Sequence, residues 1–375
     1  MCATLRLPPD IFNPADSFVR LRGVGSLSTP LLVVVFGAGA IATWVAGTAL
    51  SKTTDFLDRR FGLGEALGGV VLLAVAGTLP EIAITVSAVS SGHLDLAAGN
   101  IIGGIAVQTL VLVICDAVAS RTQALTYLVG ALVPVLEAIL VIFVVSGVLM
   151  GALLPDTVRI GPISPASLGI SIAWVGGLYL VNEVRKAPRW KVVMPGSHPG
   201  RRTHRVPRPV PPRHTWFTAS TARAITVFAV ASLITLVSGV ILEVAGNTLA
   251  DRAHVNGVIF GATVLAVATA LPEISSGVAA VRIGDNELAV ADIFGGNSFQ
   301  VTLFLLADVI AGKPVLPTAG PLNAWLAVLG IELTAIYAAG VILRHEGCVL
   351  RLGRDSILAL AVFALGIAGL FQIPH

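Results

Sequence analysis

Residues 69–116 read GVVLLAVAGTLPEIAITVSAVSSGHLDLAAGNIIGGIAVQTLVLVICD, and residues 261–308 read GATVLAVATALPEISSGVAAVRIGDNELAVADIFGGNSFQVTLFLLAD. At a constant offset of 192 and with no gap, 20 of these 48 positions are identical. The identities include Leu79-Pro80-Glu81 with Leu271-Pro272-Glu273, Gly103-Gly104 with Gly295-Gly296, Gln108 with Gln300, and Asp116 with Asp308. Two unrelated apolar helices coincide at Leu, Val and Ala. A proline–glutamate step and a glycine pair recurring at one spacing require an internal duplication.

The surroundings of the repeats are those of a membrane protein. Of the 375 residues, 55% are hydrophobic and 12% charged, with a mean hydropathy of +0.89; soluble domains carry about 25% charged residues. Apolar runs of spanning length fall near 30–50, 64–89, 95–118, 124–150 and 166–183. Five more fall near 222–246, 258–281, 288–311, 322–343 and 355–372. The expected fold is therefore all-α and polytopic, with about ten transmembrane helices as two five-helix repeats. The first half, 1–183, carries repeat 69–116, and the second, 222–375, carries repeat 261–308. Between them, 184–221 holds RKAPRWK, GRRTHR and PRPVPPR, a proline- and arginine-rich composition that reads as an exposed linker. The first 28 residues give no sign of a cleavable signal. The three cysteines, Cys2, Cys115 and Cys348, are too scattered for a disulfide framework or a metal cluster.

With the linker in the cytoplasm and the helices alternating outward, eighteen Lys and Arg fall on its side and six on the other. The positive-inside rule then places both termini outside, in a plasma or bacterial inner membrane. An odd number of helices per half sends the second repeat in the opposite way up. Inverted repeats of this kind build many secondary transporters, with the binding site at mid-membrane where the repeats meet.

Glu81 and Glu273 lie deep in apolar sequence, where a carboxylate costs roughly 2.5–3.5 kcal/mol on insertion scales. No Lys or Arg within the repeats lies at matching depth, so a cation or a proton is the natural partner. Pro80 and Pro272 each remove a backbone donor, and the expectation is that carbonyls near Gly77 and Thr78, and near Thr269 and Ala270, are freed to line a cavity. With the hydroxyls of Thr78 and Thr269 this is an all-oxygen set, suited to Ca2+, Na+ or Mg2+ rather than zinc or copper. Gln108 and Gln300 follow one turn after the glycine pairs and place an amide on the same helix face. The glycines themselves also suit close helix packing.

These residues resemble the alpha repeats of the calcium/cation antiporter superfamily, the sodium/calcium exchangers and their bacterial relatives, which read roughly G-T-S-x-P-E and then G-N-x-x-G-S-N-x-x-N. The resemblance covers both repeats and the ten-helix plan. It implies that half-broken helices from each repeat build a diamond of ion sites, and that an outer helix pair slides against the core to alternate access. Position by position, the family's glutamates fall on Glu81 and Glu273. Its Thr and Ser before the proline fall on Gly77 and Thr78, and on Thr269 and Ala270. The serine after the glycine becomes Gly104 and Gly296, and the last polar residue becomes Gln108 and Gln300. Asn100 and Asp292, at the G-N position, are candidate additional ligands, although a helix-terminus contact is the plainer reading of Asp292.

The resemblance thus implies a secondary antiporter exchanging Ca2+ for Na+ or H+, with no cofactor beyond the transported ions. The thinned ligand set argues for fewer sodium sites or proton coupling, and keeps a monovalent cation/H+ antiporter as the alternative. An intramembrane enzyme would need a Ser/Lys, Asp/Asp or His-Glu-x-x-His constellation at depth, and none is present. A channel would leave the inverted repeat without a purpose. No G-x-x-x-x-G-K-[ST] motif occurs, so no nucleotide partner is expected, and nothing points to nucleic acid. Oligomeric state is open. Glu137, Glu243 and Glu332 read either as proton relays or as groups paired with water and hydroxyls. Asp116 and Asp308, near helix ends, are expected to be solvated. The basic linker could touch anionic lipid, though setting the topology explains it as well.

Overall fold

A computed structural model describes residues 26–61, 75–120, 122–186 and 220–373. Most of the linker, Arg121 and the start of the first repeat lie outside the described residues. The chain is predominantly helical. Among the described residues, seven helices are long and apolar enough to cross a membrane, or eight if one bent pair counts as a span. They include α1 (Thr29–Phe61), α3 (Leu94–Ala119), α4 (Val133–Ala152), α5 (Pro165–Lys186), α6 (Thr221–Arg252) and α11 (Pro321–Leu343). The seventh, Asn286–Ala311, comprises α9 (Asn286–Gln300) and α10 (Leu303–Ala311). The bent pair is α7 (Gly257–Thr269) with α8 (Leu271–Arg282), which meet at 45°. The shorter α2 (Leu79–Ser91) and α12 (Arg354–Leu370) complete the principal helices.

Burial explains how these apolar helices are sorted. Helix α3 is enclosed, with Leu96, Ile101, Ile105 and Leu112 fully covered. By contrast α1, α5 and α6 turn Val34, Val45, Tyr179, Val230 and Leu233 outward, as helices do when one face meets lipid and the other the bundle. Helices α1 and α6 pack along one another and are joined by Thr43 Oγ1 and Ser238 Oγ at 2.8 Å.

The offset of 192 extends into this outer pair. Gly47 of α1 lies against Pro272, where an added Cβ would fall 2.6 Å from the ring. Gly239 of α6, 192 positions later, lies against α2, where a Cβ would fall 2.6 Å from Ala83 and 3.0 Å from the Pro80 carbonyl oxygen. Each outer helix therefore crosses the proline of the other half at a glycine. Only the missing side chain permits that approach.

Asp116 and Asp308 correct an expectation: both are buried, not solvated. Asp116 accepts from the Leu125 and Gly353 amides and from Ser356 Oγ, all at 2.6 Å. Asp308 accepts from the Ser164 and Val315 amides at 2.8 and 2.7 Å. Each carboxylate thus anchors the loop that follows its own helix and the start of a helix from the opposite half, α12 or α5. A chain of backbone donors replaces the water that a helix-end aspartate would otherwise need.

Candidate functional site

Both Pro-Glu steps interrupt helices. Pro80 and Pro272 occupy the first turns of α2 and α8, where a missing N–H costs least. Glu81 and Glu273 sit in those same first turns, at the positive end of each helix dipole. One part of the expectation is corrected: the Thr78 and Ala270 carbonyls are not bare, because each accepts an amide, from Ile82 and Ile274, at 3.0 Å. The helix resumes one residue past each break and takes up these groups.

Glu81 is fully buried. Its Oε1 accepts from Gln108 Nε2 at 3.1 Å, while Oε2 has no hydrogen-bond partner among the described residues. The Thr269 hydroxyl lies beside it, itself bonded to the Ala266 carbonyl at 3.2 Å. Glu273 is close enough for the charge of Glu81 to act on it, and its Oε2 also lacks a partner among the described residues. Two carboxylates with open lone pairs inside a membrane bundle are costly unless something positive meets them.

A cavity of ≈ 120 Å³ opens onto Glu273, with Glu81 off its wall behind Gln108; the volume is enough for several waters or a partly hydrated ion. Gly77, Thr78, Gln108, Glu273 and Asp292 line it together. Gly295 and Gly296 border it as well, and an added Cβ at either would meet nothing within 4 Å. Of the remaining expected residues, Thr269 stands at Glu81, whereas Ala270 and Asn100 are buried off the cavity wall. Gln300 lies off the cavity wall: its Nε2 donates to the Asn100 and Ile101 carbonyls at 3.2 and 3.0 Å, bracing α9 against α3, while its Oε1 has no hydrogen-bond partner among the described residues. Of the two glutamines, one faces the site and one holds helices together.

The additional carboxylates separate in the same way. Glu137 lines the cavity and pairs with Arg185 at 2.8 Å. Glu243 is buried under His93 and Ser87, at 2.8 and 2.7 Å. Glu332 lies on the exposed face of α11, away from the cavity. Ser276, which donates to Asp292 Oδ2 at 2.8 Å, escapes a reading by recurrence. Its counterpart in the first repeat is Ile84, so the repetition that marks the other residues gives no signal there.

Two intramembrane carboxylates at helix breaks, one of them on the wall of a cavity that Thr78, Gln108 and Asp292 also line, are what a membrane protein that handles cations requires. The chain belongs to the sodium/calcium exchanger protein family, which matches residues 31–181 and 223–352. It is 25% identical over 303 residues to the inner membrane protein YrbG of Escherichia coli K12, covering 79% of this chain and 82% of that one. It is also 25% identical over 304 residues to CaxA of Alkalimonas amylolytica, covering 78% and 87%. The fold is shared with a crystal structure of the H+/Ca2+ exchanger CAX, at a TM-score of 0.63 and 15% identity over 97% of this chain and 90% of the other. It is shared too with the sodium-calcium exchanger NCX_Mj, at a TM-score of 0.57 and 16% identity over 91% and 99%.

Proposed function

We propose that this protein is a secondary active cation antiporter. It exchanges Ca2+ for Na+ or H+ by alternating access at a mid-membrane site shared by its two repeats. The observation that carries this reading is the pairing of Glu81 with Glu273 across the duplication, each in the first turn of a broken helix and each with an oxygen unpartnered among the described residues. Two carboxylates supply a charge of about −2, which one Ca2+, two Na+ or two protons neutralise equally. Ions that satisfy the same charge in turn, and not together, are what antiport requires.

In this reading Glu81, Glu273, Thr78 and Gln108 hold the ion, Thr269 supports Glu81, and backbone at Gly77 and Ala270 shapes the breaks. The chain is read as ten helices in two inverted repeats, with the linker in the cytoplasm, both termini outside and the protein in the inner membrane. The outer pair α1 and α6 moves over the prolines at Gly47 and Gly239, which place no side chain between the helices.

The test is ion exchange by Glu81→Gln and Glu273→Gln variants, which keep the shape and remove the charge. Each should insert normally and lose exchange. Undiminished transport in both would remove these residues from the site. The monovalent reading has one observation in its favour, the glycines at 104 and 296 where the family places serines. Na+ or K+ exchanging against H+, with no movement of Ca2+, would establish it.

A further inference from the structure

The cavity is bordered by two carboxylates besides Glu273, namely Glu137 and Asp292, and the charge of Asp292 also reaches Glu273. Glu137 stands in the first half of α4 and is only 6% exposed. Its Oε1 accepts from Arg185 Nη2 at 2.8 Å, while Oε2 has no hydrogen-bond partner among the described residues, and the side chain borders the cavity. Asp292, on the facing α9, lines the same cavity and is oriented by Ser276 Oγ at 2.8 Å. The charges of Asp292 and of Glu287, nearer the start of α9, both reach Glu137. Arg185 enters from the last turn of α5, with its side chain 47% exposed.

Arg185 therefore pairs with Glu137 and its charge also reaches Glu287, while Glu137 itself feels the charges of both Glu287 and Asp292. As a structural brace this is poorly made. A buried ion pair adds little net stability, and one that leaves a carboxylate oxygen unsatisfied adds less. As a binding station it is complete, with hard oxygen donors, room for water and a resident positive charge. Arginine cannot give up its proton, so it can make way for an ion only by swinging out, and its half-exposed position on a terminal turn allows that.

We propose that Glu137 and Asp292 form an outer cation-binding station on the linker side of the cavity, with Arg185 as the built-in counter-charge that an entering divalent cation displaces. The station rests on the exchanger reading as the stop before the Glu81–Glu273 site, but its occupancy can be measured without transport.

The experiment is Ca2+ titration by calorimetry of the purified full-length chain. The Glu81→Gln/Glu273→Gln double variant removes the inner site and should still bind Ca2+. Adding Glu137→Gln and Asp292→Asn should abolish that residual binding. If Glu137→Gln does not yield folded protein, Asp292→Asn on the double background carries the same test. Arg185→Gln should tighten the residual binding by about five- to tenfold, the loss of one partly exposed competing ion pair. A double variant that binds no Ca2+, or an Arg185→Gln affinity equal to that of the parent, overturns the station. Failure of the inner-site reading looks different: exchange would survive Glu81→Gln and Glu273→Gln whatever the titrations show.

Discussion

The two repeats share their key residues but not their surroundings. In the first, Glu81 is fully buried and bonded to Gln108. Its α3 glycines are filled against neighbours: Gly99 meets the Val258 carbonyl, where a Cβ would lie 2.6 Å away, Gly103 meets Ala262, and Gly104 meets the Gln300 amide. In the second repeat, Glu273 is partly open to the cavity, and Gly295 and Gly296 face empty space. The same Gly-Gly pair is a packing surface in one copy and a cavity wall in the other. A duplicated sequence thus settles which residues are available, while packing settles what surrounds each copy. On the antiporter reading proposed above, an alternating-access cycle would exchange these surroundings between the two copies.

The sharpest way to break the comparison is through the two glutamates. Despite their unequal burial, Glu81→Gln and Glu273→Gln should each reduce exchange by at least about 100-fold, because both charges are needed to balance one divalent ion. A large difference between the variants, measured as ion flux in proteoliposomes, would mean that the open carboxylate alone carries the site.

The next largest contrast lies in the glycines. Gly103→Ala forces a methyl group into Ala262 and should destabilise the protein by about 1–3 kcal/mol. Gly295→Ala, with nothing within 4 Å, should leave the thermal unfolding temperature near that of the parent. Equal shifts in a thermal melt would show that the asymmetry is not a property of the protein in solution.

The serine positions sharpen the same contrast functionally. Gly296→Ser adds a hydroxyl to the cavity wall and should fold normally while raising the dependence of exchange on Na+. Gly104→Ser strikes the Gln300 amide and should instead lower stability. The readout is Na+-dependent flux beside a melting curve for each variant.

The smallest expected effect concerns His93, at the turn between α2 and α3. Its hydrogen bond to Glu243 holds its pKa above the usual value, and the charges of Glu243, Asp251 and Asp95 act in the same direction against the opposing effect of burial. A protonated His93 therefore stabilises the fold fully below its ordinary value of about 6.5, and that contribution is lost as pH rises through the raised value. Melting curves of the parent and of His93→Gln should differ at acidic pH and converge at alkaline pH.

Much of this is legible in the sequence because duplication is a strong signal. Glu81, Glu273, Thr78 and Gln108 stand out by recurrence at one offset or by their place beside the repeated Pro-Glu step, and Thr78, Gln108 and Glu273 do share a cavity wall. Recurrence predicts equal roles for the two glutamines, yet Gln300 lies off the cavity wall with its Nε2 spent on the Asn100 and Ile101 carbonyls and its Oε1 without a partner among the described residues. Asp116 and Asp308 read as solvated from their place at helix ends. The amides that bury them come from Gly353 and Ser164 in distant sequence, which no local pattern reveals. Arg185 lies in a terminal turn that reads as a topology signal, and its reach to Glu137 depends on how α5 packs against α4.

The most direct test of coupled exchange is gradient-driven flux in proteoliposomes. An outward Na+ gradient and an outward H+ gradient are imposed separately, and entry of labelled Ca2+ is followed in the parent and in Glu81→Gln. Exchange at a site shared by both repeats predicts Ca2+ accumulation driven by at least one of these gradients and absent in the variant. Ca2+ entry that needs neither gradient, or that persists in Glu81→Gln, would contradict it.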